Sequence, residues 1–351
     1  MGRHHVPERP PVRDRGALRA TVLALLGLAL VVVAMIASYS GAFAKPTLHD
    51  LNVAVAAPPP VLDGLRGHDA LRITEVGDGT AARQQVYERR TDAAFVVDPS
   101  GAMTIYVAGG GGRSVATAAE SVGEAAAAKV GLPATVEDVA PPSAGDPSGT
   151  VEFYAVIFIS IGASVGAAVL GRFMGPVRRP ATLGLRTLTL AGYSAVLAGG
   201  VTLYVDAVLG ALVGHTWEVF ATLWLYAMAV AGAITGAAAA FGTAASLALT
   251  LFLVIIGNAA AAGPVGRPLL SGFYSTFTAI VPQGSGVSLL RSVAYFGGNG
   301  AQTPLVTLVL WGAAGCLLAI AATAARVDYR PVHERFARRR LLRPGLLSPA
   351  D

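Results

Sequence analysis

The feature that most constrains this chain is an apolar run closed by arginines at residues 150–186, TVEFYAVIFISIGASVGAAVLGRFMGPVRRPATLGLR. A helix crossing a bilayer core needs roughly 20 mostly apolar residues, and residues 153–174 supply them. Arg172, Arg178, Arg179 and Arg186 crowd its far end. Basic residues concentrate in cytoplasmic loops, so this helix is expected to enter from outside and leave inside. The residues before it then form an outer domain or the route to one, and the residues after it are threaded from the inside.

Composition agrees with a polytopic membrane protein carrying one soluble part. Of the 351 residues, 54% are hydrophobic and 13% charged, against about 25% charged in soluble domains. The formal net charge of +5 is unevenly spread. Five arginines precede Ala20, four lie between Arg172 and Arg186, and seven run from Arg326 onward. Residues 45–152 instead hold eight basic and fourteen acidic residues. This is a topology signal and not a nucleic-acid footprint. The single cysteine, Cys316, excludes a disulfide framework and reads as a small core residue.

Residues 1–19 form a basic, Pro-rich tail expected in the cytoplasm, and residues 20–44 hold the first apolar helix. Ala42-Phe43-Ala44 before Lys45 also fits a secretory cleavage site, but the run exceeds the usual signal length of 7–15 apolar residues, so a retained anchor is expected. Residues 45–150 read as a small α/β domain. Strand-like runs at 51–56, 71–76, 93–97, 103–108 and 135–139 alternate with helical patterns at 80–90 and 114–130. The Asp98-Pro99-Ser100-Gly101 stretch has hairpin-turn composition, and residues 140–149 are a linker. Residues 151–326 are expected to hold five more spans, at 153–174, 188–213, 217–240, 244–262 and 304–325. Residues 263–303 are apolar but broken by Pro264, Pro268, Pro282 and many glycines, so they are expected to be re-entrant. Two short helices, 269–281 and 287–296, would flank a turn at 282–286. Residues 327–351 form a second basic cytoplasmic tail. The fold class is thus mainly α, with six transmembrane helices and a small extracytoplasmic α/β domain after the first.

Three passages carry a resemblance: LHDLNVAVA at 48–56, DPSGTVEFY at 146–154 and, most specifically, VPQGSGVSLLRSVAYF at 281–296. With one helix, an outer domain and five further helices, the chain resembles type-2 ABC exporter permeases, and more narrowly the YhgE/Pip-like membrane proteins, especially actinobacterial ones. That resemblance implies an export-associated subunit of the plasma membrane and assigns no substrate; export of a hydrophobic or amphipathic substrate is the leading expectation. The resemblance also implies a separate ATP-binding partner and pairing as a homodimer or with a related permease.

The residues themselves supply no ATPase. A P-loop requires G-x-x-x-x-G-K-[ST], but Lys129 precedes Val130, Lys45 precedes Pro46, and the run Gly109–Gly111 with Gly112 lacks a lysine. Gly162-Ala163-Ser164-Val165-Gly166 matches G-x-S-x-G but lies mid-span, without the strand-to-helix turn a nucleophile needs. Gly162/Gly166 and Gly232/Gly236 instead read as small-residue helix-packing faces, within one subunit or between two. No catalytic, cofactor or metal site is expected: the histidines lack metal-ligand spacing. Asp206 lies inside the third span, and a carboxylate there is a candidate functional group. It is expected either to pair with Arg267 or Arg291 across the outer hairpin, with Glu218 nearby, or to lie on a transport pathway. The rival to transport is a scaffold or receptor displaying the outer domain.

Overall fold

A computed structural model describes residues 15–175 and 180–326. The tails at 1–14 and 327–351, with Arg178 and Arg179, lie outside them. Helix α1 (Arg15–Phe43) leads into a five-stranded sheet, and a helix bundle comes after it. The strands are β1 (Leu51–Ala56), β2 (Leu71–Glu75), β3 (Ala93–Val97), β4 (Met103–Val107) and β5 (Ala134–Asp138). Their order is β2-β1-β3-β4-β5, parallel except for the β3–β4 hairpin. The turn forms as its composition predicts: Asp98 Oδ1 accepts from the Ser100 and Ala102 amides at 2.9 and 3.1 Å. A helix not expected from sequence, α2 (Pro59–Arg66), packs with α4 (Arg113–Lys129) on one face of the sheet, against Val53, Phe95 and Ile105. Helix α3 (Gly79–Tyr87) covers the other through Ala82 and Val86.

Both faces are completed from outside the sheet domain. Leu269 joins the α4 side, and Phe296, only 1% exposed, joins the α3 side. The sheet domain is thereby welded to the bundle.

The bundle comprises α5 (Val151–Met174), α6 (Pro180–Leu203), α7 (Thr216–Phe241), α8 (Thr243–Phe252), α9 (Gly272–Thr278), α10 (Pro282–Tyr295) and α11 (Gln302–Arg326). Among the described residues, five helices are long and apolar enough to cross a membrane: Gly16–Phe43, Val151–Met174, Ala181–Val208, Thr216–Phe241 and Gln302–Arg326. The sixth expected span, 244–262, is shorter. Its apolar helix runs Thr243–Gly257, with α8 passing into a π-helical turn at Leu253–Gly257. At Gly257 a side chain would collide with Gln283, since its Cβ would lie 2.6 Å from Oε1. Helix α7 reverses into α8 at Gly242 alone, whose φ of 91° lies in the left-handed region that favours glycine.

Both glycine faces pack within this one chain. The Tyr193 ring of α6 fills the space at Gly166, and its hydroxyl donates to the Gly162 carbonyl at 2.8 Å. Helices α7 and α11 meet at Gly232, Gly236 and Gly315, where a Cβ on Gly236 would lie 2.3 Å from the Gly315 carbonyl oxygen. Ser164 simply donates to the Ser160 carbonyl one turn back. Gly236→Ala is therefore expected to push two backbones apart and cost about 1–3 kcal/mol. Gly200→Ala on α6, with nothing within 4 Å, should be neutral or stabilising by up to about 1 kcal/mol. Thermal melts in detergent compare the two, and equal effects would refute the close-contact argument. Cys316 is exposed on α11, not in a core. No residue in the most apolar stretch of α1 is buried, and its last turns touch the bundle through Ser38, Ala42 and Phe43.

Candidate functional site

The broken segment 263–303 does turn back on itself, but deeper and differently than its composition suggests. Pro282-Gln283-Gly284-Ser285-Gly286 is not the turn. Pro282 sits in the first turn of α10, where its missing N–H costs nothing, and α9 ends at Thr278. Helix α10 packs among α5, α7 and α11. Gln283, 0% exposed, donates to Ser160 Oγ at 3.2 Å and to the Leu253 carbonyl at 2.9 Å. Ser160 is the tenth residue of α5, so at 1.5 Å per residue the hairpin reaches roughly 15 Å along that helix. The Leu253 carbonyl opens the π-helical turn and also accepts the Asn258 amide, so the glutamine is a second donor to irregular backbone.

From that depth α10 rises to the sheet domain. Gly110 and Gly111 of the glycine run pass its last residues so closely that a Cβ on Gly110 would lie 2.5 Å from the Tyr295 ring. The run is therefore used for close backbone approach. One turn below, Arg291 is 4% exposed. It donates from Nη2 to the Gly149 and Gly263 carbonyls at 3.2 and 3.0 Å, and from Nη1 to Ala262 at 3.3 Å. Its Nε has no acceptor among the described residues. Glu152, 0% exposed in the first turn of α5, faces the Tyr295 hydroxyl and the Arg291 guanidinium, without closing a hydrogen bond of ordinary geometry to either. Within the linker, Asp146 Oδ2 accepts the Val151 amide at 2.7 Å, at the start of α5.

Between the sheet domain and the bundle lies a cavity of about 400 Å³. Arg89, Arg267 and Arg291 line it, with Asp92, Gly112 and Thr303. Arg89 comes just after α3 at φ 59°, a left-handed position usually given to glycine. Its Nη1 donates to the Ser288 carbonyl at 2.8 Å and to Ser292 Oγ at 2.5 Å, and its guanidinium lies 5.0 Å from the Phe296 ring centre. Burial first, then the neighbouring Arg291 charge, pulls its pKa down to about 10, with Asp92 opposing. Burial raises the Asp92 carboxyl above its ordinary range, against the hydrogen bonds from Asn52 and the Arg89 and Arg267 charges. Asp92 Oδ2 is held by the Asn52 amide at 2.9 Å and its side chain at 3.2 Å.

The expected Asp206 pairing is not made. Asp206 sits in a π-helical turn at Tyr204–Val208 and accepts a hydrogen bond from Thr216 Oγ1 across the α6–α7 connection. That connection lies against the linker at Gly145. Glu218 is exposed in the first turn of α7. Among the described residues no ion pair joins either acid to Arg267 or Arg291. The reason is placement: α10 climbs inside the bundle, so Arg291 meets the carbonyls of Gly149, Ala262 and Gly263 and not the α6–α7 turn. The sequence reading missed Glu152, Arg89, Asp92 and Gln283. Glu152 looks like the edge of a span, Gln283 like part of a turn, and Arg89 like one of two basic residues ending a helix.

The passages 48–56, 146–154 and 281–296 converge here, through Asn52 on Asp92, and through Gly149 and Glu152 on Arg291. No protein-family model, curated protein or solved structure matches the chain.

Proposed function

We propose that this chain is the membrane subunit of an exporter of the type-2 ABC kind. It would work with a separate ATPase, alone or as a pair, and hand a hydrophobic or amphipathic substrate toward its sheet domain. The supporting observation is α10, a buried rod that starts beside Gln283 and the π-helical turn and ends with Phe296 in the core of the sheet domain. Any shift of α5, α7 or α11 is carried by such a rod to the sheet domain, because packed cores move as discrete units. In this reading the chain crosses the plasma membrane six times, Thr243–Gly257 being the short crossing, with the sheet domain outside and both termini cytoplasmic. The exposed length of α1 faces lipid or a second subunit.

The test is purification from native membranes in mild detergent. The expected result is a stoichiometric nucleotide-binding partner whose ATP hydrolysis changes when the membrane subunit is added back. A labelling arm checks sidedness: with Cys316→Ser as background, Thr80→Cys should react with an impermeant maleimide in intact cells. Reaction only after permeabilisation would reverse the orientation. A second reading, a scaffold or receptor displaying the sheet domain, is favoured by one observation. The α7–α8 reversal is a single glycine, which leaves little surface for an ATPase. Recovery of the intact chain with no nucleotide-binding partner decides for it.

A further inference from the structure

We infer that the cavity between the sheet domain and the bundle is a binding site for a phosphate-bearing ligand, held by Arg89, Arg267 and Arg291. It rests on the reading of this cavity as the functional site, and not on a partner ATPase. Three arginines from three separate segments line one space. None of them has a carboxylate within ion-pair distance among the described residues. Arg291 lies close enough for its charge to disfavour that of Arg89, and like charges are held together at a cost unless something of opposite sign lies between them. Asp92 does not fill that role alone, since its Oδ2 is taken by Asn52, and Glu152, which faces Arg291, does not line the cavity.

Two independent observations point to a missing acceptor. Arg291, 4% exposed, lines the cavity with its Nε unpartnered. Arg89 gives only Nη1 to protein acceptors among the described residues, the Ser288 carbonyl and Ser292 Oγ, so its other donors are open to a ligand. The wall adds a third source of positive potential. Helix α4 starts at Gly112 with no side-chain cap, and a Cβ on Gly112 would lie 3.5 Å from Arg291 Nη1. A helix N-terminus and guanidinium forks are the two groups best matched to phosphate oxygens. The cavity, about 400 Å³, is in the size range of small-molecule sites, so the phosphate arrives with an organic remainder. That remainder is either a soluble ester or a lipid headgroup.

The experiment uses the full chain in nanodiscs of phosphatidylcholine, with no nucleotide and no partner, so its outcome is separate from the copurification result. One arm titrates glycerol 3-phosphate by calorimetry. The other adds phosphatidic acid and counts retained lipid by native mass spectrometry. Arg267 is exposed and its side chain makes no hydrogen bond among the described residues, so Arg267→Gln should fold normally and weaken binding about tenfold or more. Asp92→Asn, which keeps an oxygen for Asn52 and removes the carboxylate from the wall, should tighten it severalfold. Arg89→Gln, checked for an unchanged melt, should act like Arg267→Gln. Saturable binding of the soluble ester with this order identifies a soluble source, and retention of phosphatidic acid alone with the same order identifies a lipid. No binding of either probe, or binding that neither arginine variant weakens, overturns the inference.

Discussion

Arg291→Gln should lower the stability of the whole chain by about 3–5 kcal/mol, since hydrogen bonds to a charged group contribute about 1.5–3 kcal/mol each. Three carbonyls, of Gly149, Ala262 and Gly263, lose their charged donor. Glu152, with no exposure at all, loses the cation it faces. Glu152→Gln alone should also destabilise, by stranding the arginine. The double variant should recover part of the loss, because the two facing groups leave together. At about 2–4 °C per kcal/mol for a chain of this class, the single change is visible as a fall of roughly 10 °C in Tm. Melts of the two single variants and the double one form the cycle, and strict additivity would show that Glu152 and Arg291 do not act on one another.

Phe296→Ala carries the second large effect, about 3–5 kcal/mol for emptying a buried aromatic site. The ring packs with Ala54, Val86 and Val96 on the α3 face of the sheet. Tyr87 lies at 6.3 Å between ring centres, and the Arg89 guanidinium sits over the ring. The loss should fall unevenly. Limited proteolysis is expected to reach the sheet domain and its 140–149 linker while the bundle stays protected, since the variant cuts the weld and leaves the helix contacts intact. Phe296→Leu should keep most of the stability by filling much of the same space. If Phe296→Ala costs under about 1 kcal/mol, or sheet and bundle still become protease-sensitive together, the weld is not at this residue.

The two effects trace back to different kinds of information in the chain. Strand and helix positions in the sheet domain were legible because burial imposes a period. β1 and β3 lie at 51–56 and 93–97, as their apolar patterns predict, and the Asp98 turn carries its own chemistry. The long apolar helices were legible because length and hydropathy alone mark them. The Gly166 and Gly236 faces were legible as packing surfaces, but not their partners, since a small-residue stripe says that something approaches and not what.

The sequence by itself determined which segments must leave water, which alternate in a sheet and where the chain has to turn. These depend on properties of neighbouring residues, and the hydrophobic effect acts on them whatever the rest of the chain does. Only the tertiary structure decided where the charges go. Asp206 and Arg291 look like natural partners along the chain, yet Arg291 serves Gly149, 142 positions away, and faces Glu152, while Asp206 is satisfied by Thr216 ten positions on. A buried polar group must take whatever acceptor the fold brings within about 3 Å. That choice was made when the first residues of α10, read from their glycines and proline as the turn between two short re-entrant helices, were drawn into the bundle as part of a helix.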